Sequence, residues 1–419
     1  MNHVCVHIFC AVSVILICIK PVPAYADSVY TLDELIKRSL SRYELLRASR
    51  HRITGQKYAA KQASELMNPE VSLSGGSKRT PGTHGYLYGI ELNQHFYFPG
   101  KQALRREIAE YGIRISELEH SEMQLFIRYE VTRLAYAYAS LLEHSTHVKH
   151  RLRRLRLIDS YLTGRKIIAP QKRVERDIIR LKVGMLERAA AENSVKMRTA
   201  FDRLNVYICT ESEGAPPAVD IEWYRDIPEI DPAAIKGKAI RDNLLLQRYR
   251  AQVRMNRAGE RLSRREAFPD PGISLFYTEE HAGTTERSFG GGFTVAIPVL
   301  NRNRNAVMIS RARTKEKKNE LIYSERSLVN ELNLLIKKYQ AASMLVRDLP
   351  VSYADILEQK MRYADREFRK GRVDLQTYLE IDSMAYESLE AIYRAQVQLV
   401  DAHTQILFLT ADRKGAGNK

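Results

Sequence analysis

Apolar residues recur every three or four positions through long stretches of the chain. Leu118, Met123, Phe126 and Ile127, followed by Leu134, Tyr138 and Leu141, form one row. Ile178, Leu181, Met185 and Ala189 form a second, and Leu375, Leu379, Met384 and Leu389 a third, with Arg, Lys and Glu between them. That period is helical, and its persistence predicts coiled-coil packing. Breakers are missing from the same regions. Gln102–Thr163 holds no proline and one glycine, Gln171–Gly214 holds no proline, and Asn303–Lys370 holds only Pro350. A helix of about sixty residues reaches about 90 Å, far more than a compact domain needs.

Two windows obey a different period. Val71, Leu73 and Gly75 alternate with serines; Tyr86, Tyr88, Ile90, Leu92, Gln94 and Phe96 alternate with the residues between them. Ile273, Leu275 and Tyr277, then Phe289, Gly291, Phe293, Val295, Ile297 and Val299, repeat the pattern. Period two with Gly-rich surroundings predicts two β-hairpins, about 69–97 and about 271–300, with Lys78–Gly85 and His281–Arg287 as polar turns. Runs of about ten residues with aromatic ends match outer-membrane strands as well as soluble hairpins.

The two windows belong to a duplication. Asn68-Pro69-Glu70-Val71-Ser72-Leu73 is echoed 202 positions later by Asp270-Pro271-Gly272-Ile273-Ser274-Leu275. Phe98-Pro99-Gly100-Lys101 falls opposite Asn301-Arg302-Asn303-Arg304, and Ile178, Leu181 and Leu204 fall opposite Ile381, Met384 and Leu407. The expected organisation is a first repeat at 27–213, a Pro-rich connector at 214–232 that holds the single tryptophan, Trp223, and a second repeat at 233–419. Each repeat reads as helix, hairpin and a long helical hairpin. Pro99 and Gly100, and Pro298, Asn301 and Arg302, mark the strand-to-helix transitions, where proline ends ladder pairing and presets a helical turn.

Residues 1–26 read as a targeting segment. An apolar run, Val4–Ile19, precedes Ala24-Tyr25-Ala26 and Asp27, a small-residue cleavage pattern. The run is short for a membrane span of about 20 residues. Three of the four cysteines (5, 10 and 18) lie in it, which leaves Cys209 alone in a cleaved chain. Disulfides within that chain and CxxC zinc ribbons are then excluded. The formal net charge of +16 suits nucleic acid or an anionic surface, but export makes nucleic acid an unsuitable partner.

Geometry narrows the assembly. Four strands cannot close a barrel, and the bilayer interior tolerates no open strand edge. Two copies give eight strands, whose interior fills with side chains; three give twelve and a lumen.

These pieces resemble the TolC family of outer-membrane efflux channels over nearly all of the exported chain. The carrying residues are Asn68-Pro69, Gln94–Lys101, Ile297-Pro298-Val299-Leu300-Asn301-Arg302-Asn303-Arg304, Leu349-Pro350 and Phe368-Arg369-Lys370-Gly371-Arg372-Val373. The third of these, Ile297 to Arg304, resembles the branch that serves metal-cation and related tripartite pumps. The resemblance implies a mainly α fold with a β-hairpin pair: four membrane strands per chain in a shared twelve-stranded barrel, extended by a long α-helical barrel in the periplasm. It implies a homotrimer in outer-membrane lipid that docks a periplasmic adaptor and, through it, an inner-membrane pump. On this reading Tyr86, Tyr88, Ile90, Leu92, Phe293, Val295 and Ile297 face lipid. His95, Asn305 and Thr377 depart from the family pattern.

Two turns join the long helices, Gly164-Arg165-Lys166 and Gly371-Arg372-Val373, and are the expected docking tips. Glycine ends one helix there and Pro170 or Asp374 starts the next. Glu380, Asp374 and Asp382 follow the second tip; in a trimer each becomes a ring of three carboxylates able to select cations, or else a set of helix-start charges. His144, His147 and His150 lie among Lys149 and Arg151, which disfavours a divalent ion, and read as solvated surface. No HExxH, GxSxG or Cys/His pattern is present, Gly290-Gly291-Gly292 lacks the lysine of a phosphate loop, and no cofactor is expected. The function expected is a passive exit duct of an efflux system. The alternatives are the outlet of a type I protein-secretion system and a periplasmic coiled-coil adaptor or scaffold.

Overall fold

A computed structural model describes residues 29–163, 170–209 and 217–412. The proposed targeting segment and the first tip, Gly164, Arg165 and Lys166, lie outside the described residues. In chain order the elements are β1 (Tyr30–Thr31), α1 (Leu32–Arg42), α2 (Glu44–Gln62), β2 (Glu70–Thr80), β3 (Thr83–His95), α3 (Lys101–Thr163) and α4 (Pro170–Ile208). After these come β4 (Val219–Asp220), α5 (Pro232–Asp242), α6 (Leu244–Arg265), β5 (Gly272–Ala282), β6 (Thr284–Thr294), α7 (Arg304–Asp348), α8 (Ser352–Arg369) and α9 (Leu375–Leu409). The order helix pair, hairpin, long helices thus occurs twice.

Local chemistry fixes the helix starts. Thr31 and Glu34 form a reciprocal capping box on α1, in which each side chain accepts from the other's backbone N–H. Asp231 caps α5 ahead of Pro232, and Asn243 caps α6. The 63 residues of α3 run unbroken for about 95 Å. Its counterpart in the second half is divided into α7 and α8, where the sequence pattern predicts one long helix. Pro350 removes a donor and disfavours helical geometry at Leu349, which sits at φ −127°, ψ 72°.

The strands form one antiparallel sheet in the order β2-β3-β5-β6. The reversals are tighter than the polar turns the sequence suggests. Lys78 pairs with Gly85 and Thr80 with Thr83, so only Pro81 and Gly82 form the first turn; Ala282 pairs with Thr284 around Gly283. Gly82 and Gly283 take φ of +88° and +91°, a region costly to any residue with a Cβ. Register sets the faces. Val71 and Leu73, Tyr86, Tyr88, Ile90 and Leu92, then Ile273, Leu275 and Tyr277, and Phe289 and Phe293, share one side. Ser72, Ser74, Gly89, Glu91, Asn93, Ser274, Thr278, Glu280, Gly290 and Gly292 share the other with Leu87 and Phe276. Val295 and Ile297, expected on the apolar side, lie beyond the last strand residue, Thr294, because β5 begins at Gly272 opposite it and offers no further partner. Among the described residues β2 and β6 have no strand on their outer edges.

Three apolar clusters hold the helices together. One joins α1, α2, the middle of α3 and the end of α4, and a second joins α5, α6, α7 and the end of α9. The third packs the far half of α3 against α4, α8 and α9. The buried stripe of α4 in this third cluster is Ile179, Val183, Leu186 and Ala190. The row chosen from periodicity points outward instead: Ile178, Leu181 and Met185 are 42%, 71% and 67% exposed. Both stripes have helical spacing, and only the neighbouring helices decide which is covered. Met384 of α9 is likewise exposed.

The segment 217–231 crosses the helices and is tied to them by aromatic hydroxyls. Tyr138 donates to the Pro217 carbonyl, Tyr136 to Glu222 and Tyr339 to Pro228. Trp223 sits between Tyr136 and Tyr393, and Gln396 bonds both the N–H and the carbonyl of Tyr224. Among the described residues no helix is long and apolar enough to cross a membrane.

Candidate functional site

The candidate residues fall into three places: the strand-to-helix junctions, the α8–α9 turn, and the first turns of α9.

At the first junction the chain passes from β3 through Pro99 and Gly100 into α3. Lys101 is 4% exposed and pairs with Asp270 at 2.8 Å, and the same carboxylate oxygen accepts the Phe98 N–H at 2.6 Å. Phe98 stacks on Phe268 with ring centres 4.9 Å apart, and Arg265 donates to the Pro99 carbonyl. The second repeat thereby clamps the exit of the first hairpin. Burial alone would raise the Asp270 carboxyl, but Lys101 and the Phe98 N–H outweigh it and hold it below the ordinary carboxylate range. Asp270 and Lys101 were visible in the sequence only as members of aligned repeat pieces; nothing local marked them as partners. At the second junction Pro298 lies in the passage between β6, which ends at Thr294, and α7, which begins at Arg304; like Pro99 it stands four residues past the end of its strand. Asn301 accepts the Asn303 N–H, Asn303 takes φ +57° and donates to the Ser263 carbonyl, and Arg302 is exposed.

The α8–α9 turn is a Schellman cap. The Arg372 N–H reaches the Glu367 carbonyl and the Gly371 N–H reaches Phe368, with Gly371 at φ +74°. The Glu367 carboxylate collects Lys370 at 2.9 Å and Arg372 at 3.0 Å. A Cβ at Gly371 would meet nothing within 4 Å, so only its backbone angle asks for glycine. Arg372 is exposed, whereas Val373, expected beside it on the surface, packs half-buried against the apolar cluster of α3, α8 and α9.

The carboxylates of α9 separate by environment. Asp374 is the N-cap, accepting the Thr377 N–H at 2.9 Å and its hydroxyl at 2.8 Å, and these bonds hold its pKa below the ordinary value. Glu380 is exposed and accepts from Gln376. Asp382 is 1% exposed, bound to Arg151 at 2.5 Å with Arg154 at 3.6 Å, and so cannot line an opening formed by this face of the helix.

The histidines differ from their surface reading. His144 bonds the Tyr386 hydroxyl at 2.8 Å, His147 stands 5.8 Å from the Tyr393 ring, and His150 meets Glu358 at 3.0 Å. The i, i+3, i+6 spacing puts all three on the side of α3 that α8 and α9 cover. Among the described residues no three His, Cys, Asp or Glu side chains are grouped to hold a metal.

No protein-family model matches the chain, and no curated protein matches its sequence. Solved structures do match. A membrane protein from Pseudomonas aeruginosa superposes with a TM-score of 0.71 at 15% identity, over 90% of each chain. The outer membrane protein VceC from Vibrio cholerae gives 0.68 at 13%, over 90% of this chain and 95% of that one. The Neisseria gonorrhoeae MtrE outer membrane channel in its open state gives 0.68 at 13%, over 90% and 88%. At such identities the likeness speaks for the architecture, and the chain accordingly has the TolC-type fold of the outer-membrane channels.

Proposed function

We propose that the chain is the outer-membrane exit duct of a tripartite efflux system. It acts as a homotrimer that receives cargo through a periplasmic adaptor and an inner-membrane pump. The observation that carries this reading is the sheet: four strands with one side apolar from Val71 and Phe293 up to the Glu279–Arg287 pair near the turns, both edges unpaired among the described residues, and continuous at its other end with a 63-residue helix. Such a sheet meets the demands of a bilayer only when its edges are closed by other copies. A second feature agrees with self-association. Val174, Ile178, Leu181 and Met185 form an exposed 4-3-4 row on α4, the spacing of a coiled-coil seam. The structures it resembles include proteins described as outer-membrane channels. The tip at Gly371 and Arg372 is assigned to adaptor docking and Glu380 to the aperture behind it.

Membranes extracted with mild detergent and weighed under native conditions test the assembly. A mass of three chains is expected. A monomer recovered without detergent from the periplasmic fraction defeats the proposal.

A further inference from the structure

His144, His147 and His150 occupy one side of α3, one per turn, and each meets a different partner across the seam. The Tyr386 hydroxyl on α9 bonds His144. The Tyr393 ring on α9 packs against His147, whose Nε2 is buried with no protein partner. Glu358 on α8 meets His150. The void beside His147 is about 20 Å³, room for at most one water and for no carboxylate. His150, Arg154 and Glu358 border this void and also an open cleft of about 660 Å³, so protons can reach the seam from solvent.

Every packed element contributes charge. From α3 itself come Glu143, Arg151 and Arg154, and Arg151 lies 4.6 Å over the Tyr386 ring. Lys196 of α4 and Glu390 of α9 act on His144. Asp355 and Glu358 stand on α8, and Asp382 of α9 is already committed to Arg151 and Arg154. The carboxylates that favour a protonated ring, Glu358 and Glu390, are opposed by Arg154, Lys196 and the neighbouring rings. Burial is the largest influence on both His144 and His147 and holds them below the ordinary imidazole value.

We infer that the α3–α8–α9 seam is an acid-sensitive latch, in which neutral His144 and His147 hold α9 against α3 and their protonation releases it. A depressed histidine binds its proton more readily when exposed than when packed. The closed seam is therefore fully stabilised above the exposed-state value, near 6.5, and loses stability as pH falls below it. The released element includes the base of the α8–α9 hairpin, so the turn at Gly371 moves with it. The latch stands on the seam alone; only its consequence for transport rests on the duct reading.

Hydrogen exchange on the purified full-length protein in detergent, at pH 7.5 and 5.5 with times corrected for intrinsic rates, tests it. Peptides over Asp382–Gln396 should lose at least tenfold protection on acidification, while Leu328–Val346 of α7 changes less than twofold. The variant carrying His144→Gln and His147→Gln should lose less than twofold in both segments. Glu358→Gln, which keeps the histidines but removes a carboxylate that favours the protonated His147 ring in the closed seam, should shift the midpoint of the transition, read over a pH series, to higher pH. The inference is overturned if α9 keeps its protection at pH 5.5, if α7 opens in parallel, if the double variant responds like wild type, or if Glu358→Gln leaves the midpoint in place. These readouts use exchange alone, so failure of the latch and failure of trimer assembly are separate results.

Discussion

At the scale of single residues, the Lys101–Asp270–Phe98 clamp joins two parts of the chain that are 169 positions apart. Asp270→Asn keeps the shape and removes the charge that both donors use. Bonds to a charged group are worth about 1.5–3 kcal/mol, and the site is partly open, so a loss of about 2 kcal/mol is expected. Thermal unfolding in detergent measures it. The sign with pH follows from the depressed carboxyl: its stabilisation is present above the ordinary value near 3.9 and is lost as pH falls through the folded value. Wild type should therefore lose Tm below about pH 4 by more than Asp270→Asn does, and parallel curves would show that the clamp contributes little.

Elements raise different questions. The sheet presents an apolar side through Tyr86, Tyr88, Ile90 and Leu92 and a small, polar side through Gly89, Glu91 and Asn93. A charge on a lipid face near the midplane costs about 2–4 kcal/mol. Leu92→Arg should then lower the yield of assembled protein far more than Asn93→Arg in the next position, as read by native gels of membrane extracts. Equal yields would show that the faces are misassigned. The α8–α9 turn makes a second test. Arg372 is exposed and held only by Glu367, so Arg372→Glu leaves the apolar packing untouched while reversing the charge of the tip. Replacing Gly371 by Trp strains a backbone at φ +74° by about 1 kcal/mol and places a large ring in open space. Both variants should assemble normally and lose export in a substrate-sensitivity assay. Export at the wild-type level with Arg372→Glu removes the turn from the docking surface.

For the whole molecule, symmetry multiplies what one chain presents. Glu380 is the exposed acid of α9 behind the turn, whereas Asp382 is sealed against Arg151 and Asp374 is spent on a cap. In the proposed trimer, three copies of Glu380 around a narrow opening would set a field that favours cations. Glu380→Gln should reduce both conductance and cation preference in planar bilayers. Unchanged selectivity moves the aperture to another ring.

Local pattern is enough to place the long helices, the two hairpins and the faces of most strand residues, though not the break before α8 or the end of β6 ahead of Val295. Those properties are periodic and local: Leu92 and Asn93 fall on opposite sides whatever else the chain does. It also determined the glycine-ended turn at Gly371, because the left-handed angle is a demand of one residue. The tertiary structure alone decided what each helical stripe meets. Ile178, Leu181 and Met185 have the spacing of a core row and lie exposed, while Ile179, Val183 and Leu186, one step round the same helix, are covered. His144, His147 and His150 sit among cations in sequence and against tyrosines and a carboxylate in space. Asp382 finds Arg151, 231 residues away. A long helix carries its side chains on every side, and its own period cannot say from which side its neighbours approach; that is settled only when α3, α4, α8 and α9 pack and water is excluded from one side of each.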